Sequence, residues 1–202
     1  MNQDLKSYIP VQAYNLVSQL LEDVPLNILI KKERKTRHGD YRKLKNGTHQ
    51  ITVNANLNPY RFLITLLHEI AHYECYKNYG YNIKPHGKAW KTTFQHIMLP
   101  FINPKIFPES LLPILANHFK NPKASSDTDE SLSLALKAFD ISNEKTYIFE
   151  VKDGATFTIS NGSSYRKIKK RRKRYECQAL DTGRLYAFSP LAEVELINDE
   201  NE

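Results

Sequence analysis

Cysteine is almost missing from this chain. Of its 202 residues only Cys75 and Cys177 are cysteines, roughly a hundred positions apart. That excludes a disulfide-framed miniprotein and makes the reducing cytoplasm the expected address. Glycine is scarce too, seven residues without a triplet period, so a collagen-like repeat is excluded. Long apolar runs are lacking. The longest near a helix, Phe62 to Leu67, is interrupted by Thr65, whereas a membrane span needs about 20 apolar residues. No membrane association is therefore expected. Met1 to Pro10 has no apolar centre of the signal-peptide kind, so secretion is not expected either. What the chain does have is a globular composition, 41% hydrophobic and 11% aromatic, too apolar for wholesale disorder.

Charge is distributed unevenly. Residues 166 to 174 read RKIKKRRKR, eight cations without an acid, which alone exceed the net charge of +7. Arg166, Lys167, Lys169, Lys170, Arg171, Arg172, Lys173 and Arg174 are the candidate nucleic-acid contacts, since cations this dense release counterions from a phosphate backbone. A looser cluster runs from Lys31 to Lys45, and Glu193, Glu195, Asp199, Glu200 and Glu202 oppose both near the end. The plain alternative for the cations is a solvated surface.

The periodicities predict an α+β chain. Val11, Ala13, Leu16, Val17, Leu20 and Leu21 form one helical stripe behind Pro10. Leu26 to Ile30 alternates like a strand, Gly39 and Asn46-Gly47 are turn signals, and Ile51 to Asn54 returns. Together these predict a small, mostly antiparallel sheet. Asn58-Pro59 opens a helix to about Tyr79, closed by Gly80, and a second helix is expected from about Lys88 to Met98. Short helices are expected near Leu111 to Phe119 and Leu132 to Phe139. Short strands are expected at Tyr147 to Phe149, Thr156 to Ile159, Tyr175 to Ala179 and Leu185 to Phe188. The expected division is a catalytic domain over 1–120, a linker with a short helix over 121–144, a small all-β module over 145–197 and an acidic tail over 198–202.

His68-Glu69-Ile70-Ala71-His72 is the H-E-x-x-H pattern, and it falls inside the long predicted helix. Four residues turn a helix by about 400°, so both imidazoles share a face and can chelate one ion, with Glu69 beside them to take a proton from water. Neutral imidazoles suit zinc, and a catalytic zinc takes three protein ligands. His86 and His96 are the better candidates for the third. His86, in the Pro85-His86-Gly87 loop, can turn back toward the first helix, while a histidine within the second helix is unremarkable. The plainer alternative, two satisfied core histidines around a buried Glu69, leaves a carboxylate unpaired at a cost. For the oxyanion, Tyr73, Tyr79, Tyr81 and His96 are candidates.

Ile51 to Asn54, Leu66 to His72 and His86-Gly87-Lys88-Ala89-Trp90, taken in that order, resemble the SprT-like zinc metalloproteases, which include the Spartan enzymes. The fourteen positions from His72 to His86 fit that family's third ligand. The resemblance runs from about Leu16 to Phe101. It implies a zincin-like catalytic domain, one catalytic zinc ion on His68, His72 and His86, and Glu69 as general base. In Spartan-type members it further implies proteolysis of DNA-bound or DNA-crosslinked proteins, stimulated by DNA, single-stranded or at junctions. Many such proteins end in a zinc ribbon of two C-x-x-C pairs. Here Glu150 and Asp153 stand where the first pair would be, and Cys177 alone survives of the second. One cysteine cannot make a four-ligand site, so a metal-free ribbon is expected, packed around Phe149, Phe157, Tyr165, Tyr175 and Leu185. A rival of another class is a non-proteolytic nucleic-acid-binding protein with a structural or vestigial metal site, its Tyr165 and Tyr175 stacking on bases.

Overall fold

The structure, a computed structural model, describes residues 5–34, 37–81, 83–124, 129–140, 146–172 and 174–197. It divides into two units, Met1–Ile141 and Ser142–Glu202. Lys173 and the acidic residues 198–202 lie outside the described residues.

In the first unit, a 3-10 turn at Val11–Ala13 precedes α1 (Tyr14–Leu20). The tighter turn rotates Val11 outward, 57% exposed, while Ala13 and Val17 keep the expected inward spacing. Three strands follow, β1 (Leu26–Lys31), β2 (Gly39–Lys43) and β3 (His49–Asn54), in the spatial order β1-β3-β2. The expected antiparallel sheet is half right. β2 and β3 form a hairpin through Asn46-Gly47, with Gly47 at φ 86°, but β1 pairs β3 in parallel. The reason is that the chain after Lys31 passes over one strand position, and β3 fills it.

As the central strand, β3 is buried on both faces, and its period of two sorts its residues. Ile51 and Val53 enter the core, and Thr52 and Asn54 face the β1–β2 connection. There the Arg34 guanidinium donates to Thr52 Oγ1 and Asn54 Oδ1, both at 2.8 Å. Asn54 Nδ2 in turn donates to the carbonyls of Arg34 and Arg37. That exchange pins the connection over the sheet.

Helix α2 (Pro59–Tyr79) starts where Asn58 Oδ1 accepts from the Arg61 amide at 2.9 Å, and it ends at Gly80, φ 67°. It is buried nearly all round because it lies between β2 and β3 on one side and α3 (Lys88–Met98) on the other. Helices α4 (Leu112–Phe119) and α5 (Glu130–Lys137) complete the unit. Helix α5, which falls in the expected linker, packs into this core through Leu132 and Leu136. Asn58 Nδ2 also donates to the Leu136 carbonyl and to Asp140, tying α5 to the start of α2.

The second unit is a six-stranded antiparallel sheet, β4 (Thr146–Tyr147), β5 (Thr156–Thr158), β6 (Ser164–Lys170), β7 (Tyr175–Ala179), β8 (Leu185–Phe188) and β9 (Glu193–Leu196), in the order β4-β9-β5-β6-β7-β8. Two strands were not legible in the sequence: β6, because it runs into the cationic stretch, and β9, because Glu193 and Glu195 flank Val194. Phe157, Tyr165, Tyr175 and Cys177 are core residues, with Phe149 packed against them. Leu185 does not contribute, being 58% exposed on the sheet's edge strand.

Candidate metal centre

Helix α2 places His68 and His72 one turn apart, and His86 approaches from the loop before α3. Its backbone adopts φ 55°, a left-handed conformation uncommon outside glycine. Gly87 follows as the N-cap of α3, and a Cβ there would meet the Lys84 carbonyl oxygen at 2.9 Å. The loop is therefore held tight at the point where the imidazole projects.

The three Nε2 atoms converge, at 3.2 Å between His68 and His72, 3.0 Å between His72 and His86, and 3.3 Å between His86 and His68. No placement of protons satisfies all three contacts. Each Nε2 either bears a proton or presents a lone pair, so two of any three play the same role and repel. A cation accepting three lone pairs removes the conflict. Zinc bound tetrahedrally at its usual distance to nitrogen sets ligand atoms about 3.3 Å apart, so the donor set fits that ion. Among the described residues this is the one group of three or more histidine, cysteine or acidic side chains arranged to hold a metal.

Trp90, fully buried, packs on all three imidazoles with ring centroids 4.6 to 5.3 Å away. Burial in these surroundings lowers the pKa of His68 to about 2 and of His72 to about 4, and the neighbouring imidazoles add to the shift. Burial lowers His86 as well. His68 and His72 are therefore neutral well below pH 7, the state that metal binding requires.

Glu69 turns the other way, toward β2, and is 7% exposed. Burial raises its pKa to about 8 and Asp40 adds to the rise, opposed by the Tyr41 backbone amide and by Arg34 and Arg37. A dication on the histidines would pull that value down again. Gly39 is no mere turn signal. A Cβ there would lie 2.6 Å from Glu69 Oε1 and 2.7 Å from Thr65 Cγ2, so only glycine lets β2 lie against the carboxylate. These groups line one cavity of about 540 Å³, which Arg37, Asp40, Phe94 and His118 complete.

Of the residues considered for the oxyanion, Tyr73 is buried against His49 and Tyr41. Tyr79 and His96 are exposed and line a different cavity, on the α3 side. Tyr81 lines a small pocket beside His72. Sequence reasoning missed Arg34, Asp40, His118 and Asp129, since their roles depend on contacts far along the chain. A buried polar pair on β3, Thr52 and Asn54, was the available signal that something charged had to meet that face.

The cationic stretch is divided by the pleat of β6. Arg166, Lys169, Lys170, Arg171, Arg172 and Arg174 are exposed. Lys167 is not. At 4% exposure it points inward with Tyr165, its Nζ 2.5 Å from the Val151 carbonyl, 3.2 Å from Asp153 and 4.1 Å from the Tyr175 ring centroid. It cannot contact a polyanion. Tyr165 and Tyr175 are buried as well, which removes them as base-stacking platforms. In the cluster between Lys31 and Lys45, Arg34 is spent on β3, and Arg37 and Arg42 both pair with Asp40.

The fold and the site thus define an α+β unit with a cluster of three histidines arranged so that they could hold a cation. Residues 13–107 match the model of the SprT-like family, so this stretch of the first unit is similar to that family. The family is associated with zinc metalloproteases. The match lies wholly within the first unit, and no curated protein matches the chain. No helix among the described residues is long and apolar enough to cross a membrane.

Proposed function

We propose that the first unit is a zincin-like peptidase of the H-E-x-x-H type, with one zinc ion on His68, His72 and His86 and Glu69 as general base. The observation that carries this reading is the convergence of three Nε2 atoms within 3.0 to 3.3 Å beside a separately held carboxylate. Zinc, when bound, supplies a Lewis acid that polarises the scissile carbonyl and acidifies water. Glu69 takes the proton as water's oxygen bonds to the carbonyl carbon, then passes it to the amine as the C–N bond breaks. The Tyr41 amide and Gly39 hold that carboxylate in one place while it does so. Substrate peptide can add to this sheet at β2. Strand β3 is central and paired on both sides, whereas β2 is an edge that lines the cavity.

For the substrate we propose DNA-bound or DNA-crosslinked proteins, supported by the six exposed cations between Arg166 and Arg174. Both cysteines are buried free thiols, which suits the reducing cytoplasm. The test is cleavage of a DNA-binding protein by the zinc-loaded chain, with and without single-stranded DNA, with Glu69→Gln as the blank. Cleavage that needs both DNA and Glu69 is expected. The same cations favour a second reading, a non-proteolytic nucleic-acid-binding protein with a structural metal site. Zinc and DNA binding without any cleavage would select it.

A further inference from the structure

His118 is a buried histidine that the proposed chemistry has not used. It lies on α4, beyond the stretch matched to the family, and its ring lines the same cavity as His68, Glu69, His72 and His86. Phe94 connects the two, with ring centroids 5.4 Å from His68 and 5.0 Å from Phe119, the residue after His118. The ring is near enough to His68 to be felt electrostatically.

Its orientation is fixed. Nδ1 lies 2.8 Å from Asp129 Oδ2, and the other oxygen of that carboxylate caps α5 by accepting from the Leu132 amide at 3.3 Å. Lys123 Nζ stands 3.6 Å from Oδ2, and these contacts hold Asp129 below the usual carboxylate range against the opposing effect of burial. An ionised carboxylate only accepts, so Nδ1 bears a proton. Nε2 is left as the ring's one polar atom for the cavity, without a hydrogen bond among the described residues. A cavity-lining histidine held through Nδ1 by a carboxylate can meet developing negative charge when its Nε2 carries a proton.

We propose that His118 is the oxyanion donor of this site and Asp129 its positioning residue. The inference rests on the peptidase reading above. As water's oxygen bonds to the peptide carbon, the carbonyl π pair moves onto oxygen. In the form of the ring that carries a proton on both nitrogens, His118 donates a hydrogen bond from Nε2–H to that oxygen and keeps both protons, while Glu69 takes the proton of water. The tyrosines offered by the sequence are thereby relieved of this role.

Kinetics on the cleavage site that the wild type selects test the assignment, together with binding of two peptides of that sequence. One is a phosphonamidate, a tetrahedral anion; the other is a hydroxamate, which ligates metal without a tetrahedral centre. For His118→Phe, which keeps a ring's bulk, kcat falls about 10²–10³-fold, the usual loss for one oxyanion donor. KM stays within about threefold, zinc content is unchanged, phosphonamidate affinity drops and hydroxamate affinity holds. Asp129→Asn retains the helix cap and loses about tenfold in kcat and phosphonamidate affinity, which decides the matter should the Phe variant not fold. Unchanged kcat and phosphonamidate affinity overturn the assignment, as does equal weakening of both ligands. A wild type that neither cleaves nor binds the phosphonamidate overturns the peptidase reading itself.

Discussion

Glu69 and the histidines beside it show how one turn of helix serves two tasks. The imidazoles meet one another, while the carboxylate is turned into a slot that only Gly39 leaves open. Glu69→Gln is expected to keep zinc and lose cleavage by about 10²–10⁴-fold, the range for a general base. Metal analysis beside a peptide-release assay separates the two effects. Gly39→Ala should behave similarly, with metal retained and turnover lost, because the new methyl displaces the carboxylate and not the ligands. The histidines carry a pH prediction as well. Their pKa values are lowered by burial, so protons compete with metal only as pH falls below the ordinary imidazole range toward the value of about 4 at His72. The chain should hold zinc through dialysis at pH 6 and release it as the pH approaches 4, measured as metal content against pH.

Elements set these residues in place through their ends and edges. Gly87 is both the N-cap of α3 and the residue that lets His86 turn back at positive φ. Gly87→Ala pushes a methyl into the Lys84 carbonyl. Zinc affinity should fall about 10–100-fold, as for weakened support around a metal ligand, read by competition with a chelating dye. In the second unit, β6 shows that a charge run is not a surface. Its pleat sends alternate side chains inward, and Lys167 satisfies the Val151 carbonyl from within the core. Lys167→Met should destabilise that unit by about 1–3 kcal/mol, the cost of a buried acceptor left unmet. Denaturant unfolding followed by tyrosine fluorescence would measure it.

At the scale of the whole molecule, the exposed cations and the histidine cluster belong to different units, and only one of those units carries the family's signature. DNA affinity should fall linearly in log–log salt titrations. Replacing Arg171, Arg172 and Arg174 by Gln should shallow the slope on single strands by about 0.7 for each phosphate no longer neutralised. Lys167→Met should leave that slope unchanged, because its charge already lies against Val151, Asp153 and Tyr175. A slope untouched by the three arginine changes would move the nucleic-acid contact elsewhere on the chain.

The sequence by itself determined what short-range periodicity can express. The H-E-x-x-H helix, its Asn58-Pro59 start and Gly80 stop follow from the 3.6-residue repeat and from capping chemistry. So does the shared face of His68 and His72. The His86 loop was legible through its Pro-His-Gly local chemistry and its distance along the chain, two signals that need no knowledge of the core. Tertiary structure alone decided the parallel partnership of β1 and β3, because strand order is a choice among distant pairings that no local pattern encodes. It decided the inward turn of Lys167, since a period of two fixes alternation but leaves open which set faces the core. It also brought His118 and Asp129 together at the edge of the histidine cluster, across a break between helices, where packing and not spacing sets the distance.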